Sequence, residues 1–148
     1  GGPDEADLAD AVLARLKNKA AVWSLVGLHK LSELPDVLQS LALFVGNNSG
    51  PKHVAAGLGV PTVAVHSAVV STEEWGPLGR NAVAIRKDMN CAPCYRAALE
   101  DCHRNLACMR DITPEHVYGL CLRFLALAGQ EVLGDVGQAC ADAVCCLS

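Results

Sequence analysis

The sequence predicts an α/β protein, a Rossmann-like doubly wound parallel sheet with helices on both faces. Three observations carry that reading. Short apolar runs alternate with helix-period segments, the order expected of parallel strands joined by crossover helices. The run Phe44-Val45-Gly46-Asn47-Asn48-Ser49-Gly50-Pro51-Lys52-His53-Val54-Ala55-Ala56-Gly57-Leu58-Gly59-Val60-Pro61-Thr62-Val63-Ala64-Val65 reads as strand, polar glycine-bearing turn, helix and second strand, one βαβ step. The second strand of that step is continuously apolar, as a strand covered on both faces requires.

Each element has a local reason. Residues 4–18 read as an amphipathic helix, with Leu8, Val12, Leu13 and Leu16 at helical spacing behind acids in the first turn. Residues 20–28 are a strand candidate containing Val22, Trp23, Leu25 and Val26. Ser32 is placed to cap a short helix through Leu41, where Pro35 is tolerated because it falls in the first turn. Residues 43–45 form the next strand. After the polar turn, a helix from Pro51 to about Leu58 has proline at its first position and Gly59 as its left-handed stop. Residues 62–65 are the following strand, 66–80 a loop with Trp75, Pro77 and two glycines, and 82–85 a last short strand.

Residues 87–112 are irregular and hold four cysteines. Thr113-Pro114-Glu115 combines a cap, a proline at the first position and a first-turn acid, and starts a helix to Ala128 that Gly129 ends. The domain reading is one Rossmann-like body over 1–129, with its Cys-rich loop at 87–112, and a tail or weak helix over 130–148. A doubly wound sheet also needs a strand before its first helix. Gly1-Gly2 reads as the turn after it, so that strand is expected upstream of Gly1, in a longer protein.

Composition narrows the function classes. A chain of 148 residues is one domain's worth, and 51% apolar residues suffice for a core. The net charge is −4 with no run of Lys or Arg, which argues against a general nucleic-acid surface. No apolar stretch is long enough to span a bilayer. Eight cysteines would suggest a disulfide scaffold in a small secreted domain, but the aliphatic α/β pattern points to a reduced, cytoplasmic protein. Cys91, Cys94, Cys102 and Cys108 are spaced C-x2-C-x7-C-x5-C. Free or packed thiols rank first there, structural zinc second and disulfides last. No metal is assigned. Cys121 lies on an apolar helix and reads as core. The terminal Cys145-Cys146-Leu147-Ser148 matches a prenylation box only by letters and is read as chance.

The candidate site is the turn after residue 46. Free N–H groups at the start of the Pro51 helix, with the helix dipole, favour an anion at the carboxyl end of a parallel strand. Ser49 can donate to a phosphate oxygen, Gly50 allows close backbone approach, and Lys52 and His53 add donors. That chemistry suits a diphosphate. On these residues alone, the alternative is that Ser49 caps the helix and Asn47-Asn48 merely turns the chain.

The segment Val45-Gly46-Asn47-Asn48-Ser49-Gly50-Pro51-Lys52-His53-Val54-Ala55-Ala56, followed by Gly59-Val60-Pro61-Thr62-Val63, closely resembles the signature of family 9 glycosyltransferases, the lipopolysaccharide heptosyltransferases and their relatives. Gly1-Gly2-Pro3-Asp4-Glu5 resembles the turn and helix start of their second domain. Gly27-Leu28-His29-Lys30-Leu31-Ser32-Glu33-Leu34 is similar to their Gly…Leu-x-Glu-Leu segment. Glu74-Trp75-Gly76-Pro77-Leu78-Gly79 resembles their Trp-x-Pro-x-Gly loop. Cys91-Ala92-Pro93-Cys94 and Cys108-Met109…Ile112-Thr113-Pro114-Glu115…Val117 resemble their C-terminal end. The resemblance covers about residues 1–128.

It implies a GT-B architecture, with this chain as the second, donor-binding domain and both the catalytic base and the acceptor on an absent first domain. It implies inverting transfer from a nucleoside-diphosphate sugar, an ADP-sugar first among them, to a lipopolysaccharide or other glycan, without a cofactor. The setting is cytoplasmic, at most peripheral to the inner membrane. By motif position Asn48, Ser49, Gly50 and His53 bind the donor; Lys52 joins them at the diphosphate by its place in the first helical turn, and Asp4 or Glu5 is a candidate to hydrogen-bond the nucleoside ribose, as an acid after an early strand does in dinucleotide folds. His66 and Ser67 lie at the same sheet edge as Ser49 and are candidate lining. This sequence departs from the family at Asn48, usually Asp, at Lys52, often apolar, and at His66-Ser67-Ala68-Val69, often Phe-Gly-Pro-Thr. Those departures leave the donor sugar open. The other readings are a non-catalytic nucleotide-binding module and a zinc-stabilised interaction domain.

Overall fold

The structure, a computed structural model, describes residues 1–18, 21–130 and 144–147. The chain divides into two compact units, Gly1–Val37 and Leu38–Ser148.

In the first unit a 3-10 turn, Pro3–Glu5, leads into α1, Ala6–Arg15. Proline and two acids at the entry are what a helix start favours. The Glu5 carboxylate closes that start by accepting the Gly2 N–H at 2.9 Å. The apolar stripe of α1 buries no residue. The strand expected over residues 20–28 does not form: residues 21–28 are turns and irregular chain. A strand exists only by pairing, and among the described residues of this unit there is no second strand. A 3-10 turn, Leu31–Glu33, then leads into α2, Leu34–Gln39. The cap there is the Glu33 carboxylate, which accepts the Lys30 N–H at 2.8 Å, so Ser32 does not play the part expected of it.

The second unit is a parallel sheet with helices packed on it. Its strands are β1 (Phe44–Asn47), β2 (Thr62–His66), β3 (Ala82–Lys87) and β4 (Val144–Leu147), in that spatial order. The register pairs Val45 with Val63, Val63 with Val83, and His66 with Arg86. This bears out the α/β parallel-sheet expectation, and the arrangement is consistent with the second domain of a GT-B protein. Within the stretch read as a tail or weak helix, residues 131–143 lie outside the described residues, and Val144–Leu147 pairs along β3. An apolar tetrapeptide there takes up backbone groups that β3 would otherwise leave open.

Helix α3, Gly50–Gly57, joins β1 to β2. Gly59 sits at φ +80, the left-handed stop expected of it. The loop after β2 contains a short helix, α4 (Thr72–Trp75), capped by Ser71 Oγ, which accepts the Glu73 N–H at 3.1 Å. The Cys-rich stretch holds a 3-10 turn, Leu99–Asp101, and a short helix, α5 (Ala107–Arg110). Helix α6, Pro114–Gln130, starts at the expected proline and runs one residue past Gly129.

The core lies between β2, β3 and α6. Val63, Val83, Ile85 and Phe124 form its buried centre, and Leu43, Val65, Ile112, Val117, Leu120 and Cys121 pack against them. Val63 and Ile85 are completely buried, which explains why both strands read as unbroken apolar runs. Cys121 is core, as expected, and burial pushes its thiol pKa up. Among the described residues no helix is long and apolar enough to cross a membrane.

Candidate functional site

Parallel strands end together, so residues just past each strand collect at one sheet edge. Here those are the turn after β1, His66 and Ser67 at the end of β2, and Arg86 near the end of β3. The Asn48 N–H donates to the Val65 carbonyl at 3.1 Å, which carries the β1–β2 ladder one step into the turn. His66 and Arg86 face each other in register.

The start of α3 is open. Ser49 occupies the cap position in extended conformation, but its side chain makes no capping bond. Its hydroxyl instead donates to the Asn47 carbonyl at 3.4 Å. A side chain at Gly50 would meet nothing within 4 Å. The first-turn N–H groups of α3 lack carbonyl partners within the helix, and the cap alternative for Ser49 is not what the structure shows.

Lys52 is completely buried although it is charged. Its ammonium donates to Asn48 Oδ1 and to the Trp75 carbonyl, the latter at 2.5 Å. Burial pushes its pKa down. Lys52 therefore sits behind the turn with its donors engaged by protein, and brings positive charge to the sheet edge from inside. His53, on the exposed side of α3, has a lowered pKa from desolvation and then from the Lys52 charge.

His66 is also completely buried, and both its ring nitrogens lack a hydrogen-bond partner. Its pKa is pushed down to about 4, first by desolvation and then by the charges of Lys52 and His53. The imidazole is therefore neutral at ordinary pH. Beside it, Arg86 Nε is buried and unpartnered. Orphaned buried polar atoms each cost about 1–3 kcal/mol, and polar atoms orphaned together mark a place where a ligand or water completes the bonding. The Ser67 hydroxyl accepts the Val69 N–H at 3.4 Å, which shapes the loop that leaves the sheet edge.

The arrangement joins an open helix start, a buried ammonium, a guanidinium and two imidazoles, and such a set can hold a phosphate-bearing anion. Arg86 was not among the candidates read from the sequence, because β3 was expected to stop at Ile85. The signal was the basic pair Arg86-Lys87 directly after an apolar strand. Asp4 and Glu5 lie exposed in the first unit, where Glu5 is engaged with Gly2.

Among the described residues no group of three or more His, Cys, Asp or Glu is arranged to hold a metal ion. Cys91, Cys94, Cys102, Cys108 and Cys121 are free thiols.

An open parallel sheet whose consecutive strands are joined by crossover segments defines a Rossmann-like class of α/β protein. Residues 1–102 match the family model of glycosyltransferase family 9 (heptosyltransferase), and the chain belongs to that family. It is 35% identical over 75 residues to lipooligosaccharide heptosyltransferase 2 of Campylobacter jejuni subsp. jejuni serotype O:2, a match covering 51% of this chain and 23% of that protein. Identity to the same-named protein of serotype O:6 is 32% over 75 residues, with the same coverage. The matches thus span about a quarter of the length of these curated relatives, at 23%. No solved structure matches.

Proposed function

We propose that this chain is the donor-binding half of an inverting glycosyltransferase, heptosyltransferase-like, which passes a sugar from a nucleoside diphosphate to a lipopolysaccharide or related glycan. The observation that carries the reading is the uncapped start of α3 at the carboxyl edge of the sheet, with open space at Gly50. The donor diphosphate lies over that helix start and accepts from backbone N–H groups and from Ser49. Asn48 and His53 flank it, and Lys52 supports the turn from within. His66 and Arg86 bring their orphaned nitrogens to the same edge.

In the reaction an acceptor hydroxyl attacks the anomeric carbon. The carbon–oxygen bond to the diphosphate breaks, and the acceptor proton passes to a base on the other domain. The residues of this chain stabilise the charge that grows on the departing diphosphate. The base lies outside this chain, so these 148 residues bind donor without turning it over. The setting of the whole protein is the cytoplasm, at most peripheral to the inner membrane.

Calorimetric titration with ADP-, UDP- and GDP-sugars tests the reading. Saturable binding of one nucleotide class, ADP-sugars first, with competition by the free diphosphate, supports it. Absence of binding to all three by folded protein overturns it.

A further inference from the structure

The Cys-rich stretch and the loop after β2 line a cavity of about 500 Å3. Its wall includes Cys91, Cys94, Cys102 and Cys108, together with Arg96 and Arg104. One side is fixed by backbone bonds to the loop after β2, Cys94 N–H to the Ala68 carbonyl at 3.0 Å and Tyr95 N–H to the Val69 carbonyl at 2.7 Å. The chain after Cys102 contains two consecutive left-handed residues, Asn105 at φ 49 and Leu106 at φ 55, the second of which lines the cavity. Asparagine tolerates that conformation, whereas leucine is strained in it. The turn delivers the Leu106 N–H to Cys102 Sγ at 3.3 Å.

The four thiols are free, and they differ in setting. Cys91 is exposed, Cys94 and Cys102 are half-buried, and Cys108 is buried. Exposure alone would make Cys91 the reactive one. Charge favours Cys102: the N–H groups of Leu106 and then Arg104, with the Arg96 guanidinium, hold its thiol below the usual range. A thiolate is the nucleophile in sulfur chemistry, and reactive cysteines occupy electropositive, partly accessible places.

We propose that this cavity is a thiol-modification site in which Cys102 forms a mixed disulfide with a small anionic disulfide of the glutathione class, whose carboxylates Arg96 and Arg104 receive. The Cys102 thiolate attacks one sulfur of the incoming disulfide. A new S–S bond forms as the old one breaks, and the departing half leaves as a thiolate that takes a proton from water. Cys102 is oxidised and the departing half is reduced. The site stands independently of the donor reading, because it shares none of the residues assigned to the diphosphate.

The test exposes the intact, fully reduced chain to glutathione disulfide and maps adducts on each cysteine by peptide mass spectrometry over time. Cys102 is modified first, at least about threefold faster than Cys91, since the gain in thiolate fraction is partly offset by lower intrinsic nucleophilicity. The adduct is reversed by dithiothreitol. Bis(2-hydroxyethyl) disulfide, which carries no carboxylate, loses the preference, and so does the pair Arg96→Gln with Arg104→Gln when glutathione disulfide is used. Modification that begins at Cys91, or equal rates with the charged and neutral disulfides, overturns the proposal. The unsubstituted chain alone decides between Cys102 and Cys91, so the result stands even where a variant fails to fold.

Discussion

The ammonium of Lys52 donates to the backbone carbonyl of Trp75 at 2.5 Å and, on its other side, to Asn48 Oδ1. One completely buried lysine thereby ties the turn after β1 to the last residue of α4. The Trp75 indole is exposed, so its main-chain oxygen and not its ring makes this connection. The Trp-x-Pro-x-Gly loop is held to the turn after β1 by that bond.

Replacing Lys52 by methionine keeps much of the buried stem and deletes the ammonium. The Trp75 carbonyl and Asn48 amide lose a donor, while the burial cost of the charge disappears. The unsatisfied acceptors dominate, and the protein loses about 1–3 kcal/mol of stability. Urea unfolding of the two proteins measures it. A midpoint at or above the parent's would mean that the bonds do not hold the turn.

Gly50 separates stability from binding. A methyl group there meets no atom within 4 Å, so Gly50→Ala folds normally and gains up to about 1 kcal/mol from reduced chain entropy. The same methyl occupies the space over the start of α3 where a diphosphate would lie. Nucleotide affinity falls at least about tenfold, equivalent to 1.4 kcal/mol. Unchanged affinity in a fully folded variant would remove the diphosphate from the helix start.

Gly79 is required by a close approach. A Cβ on it would stand 2.9 Å from the Ala56 carbonyl oxygen, in the buried C-terminal part of α3. A backbone atom cannot swing aside as a side-chain tip can. Gly79→Ala therefore displaces the loop or the helix end and destabilises the protein by about 1–3 kcal/mol. The check is a thermal midpoint lowered by several degrees relative to the parent.

What the sequence made legible follows from which interactions are local. The βαβ step at 44–65 is readable because polar turn, proline, left-handed glycine and apolar strand all lie within it, and the structure places β1, α3 and β2 there. The apolar segment at 20–28 reads as a strand, yet residues 21–28 form none, because strand formation depends on a partner elsewhere and apolar composition cannot supply one. Val144–Leu147 was missed for the converse reason: a short apolar tetrapeptide becomes a strand only beside the edge of β3. Of the proposed site residues, Ser49 and Gly50 are read from their chemistry and His66 from its place at a strand end. The burial of Lys52 and the orphaned Arg86 Nε were not visible, since both depend on long-range packing of loops onto the sheet edge.

His66 gives the protein an acid-side weakness whose sign can be worked out. Its folded pKa is about 4, against an ordinary histidine value of 6.5. Between those values the unfolded chain binds a proton at this position and the folded chain does not, so stability rises with pH across the window. The contribution is complete above pH 6.5 and is lost as pH falls towards 4, where the folded imidazole also protonates. Desolvation is the principal cause, with Lys52 and His53 reinforcing it. The loss amounts to at most roughly 3 kcal/mol. Chemical unfolding from pH 7.5 down to 4.5 should show the decline, and His66→Gln, which does not titrate, should flatten it. A bound phosphate-bearing ligand opposes the decline, since an anion beside the ring favours the imidazolium and so raises its pKa. If His66→Gln retains the parent's full pH slope, the decline belongs to the carboxylates and the other histidines, and the buried neutral imidazole is not the source.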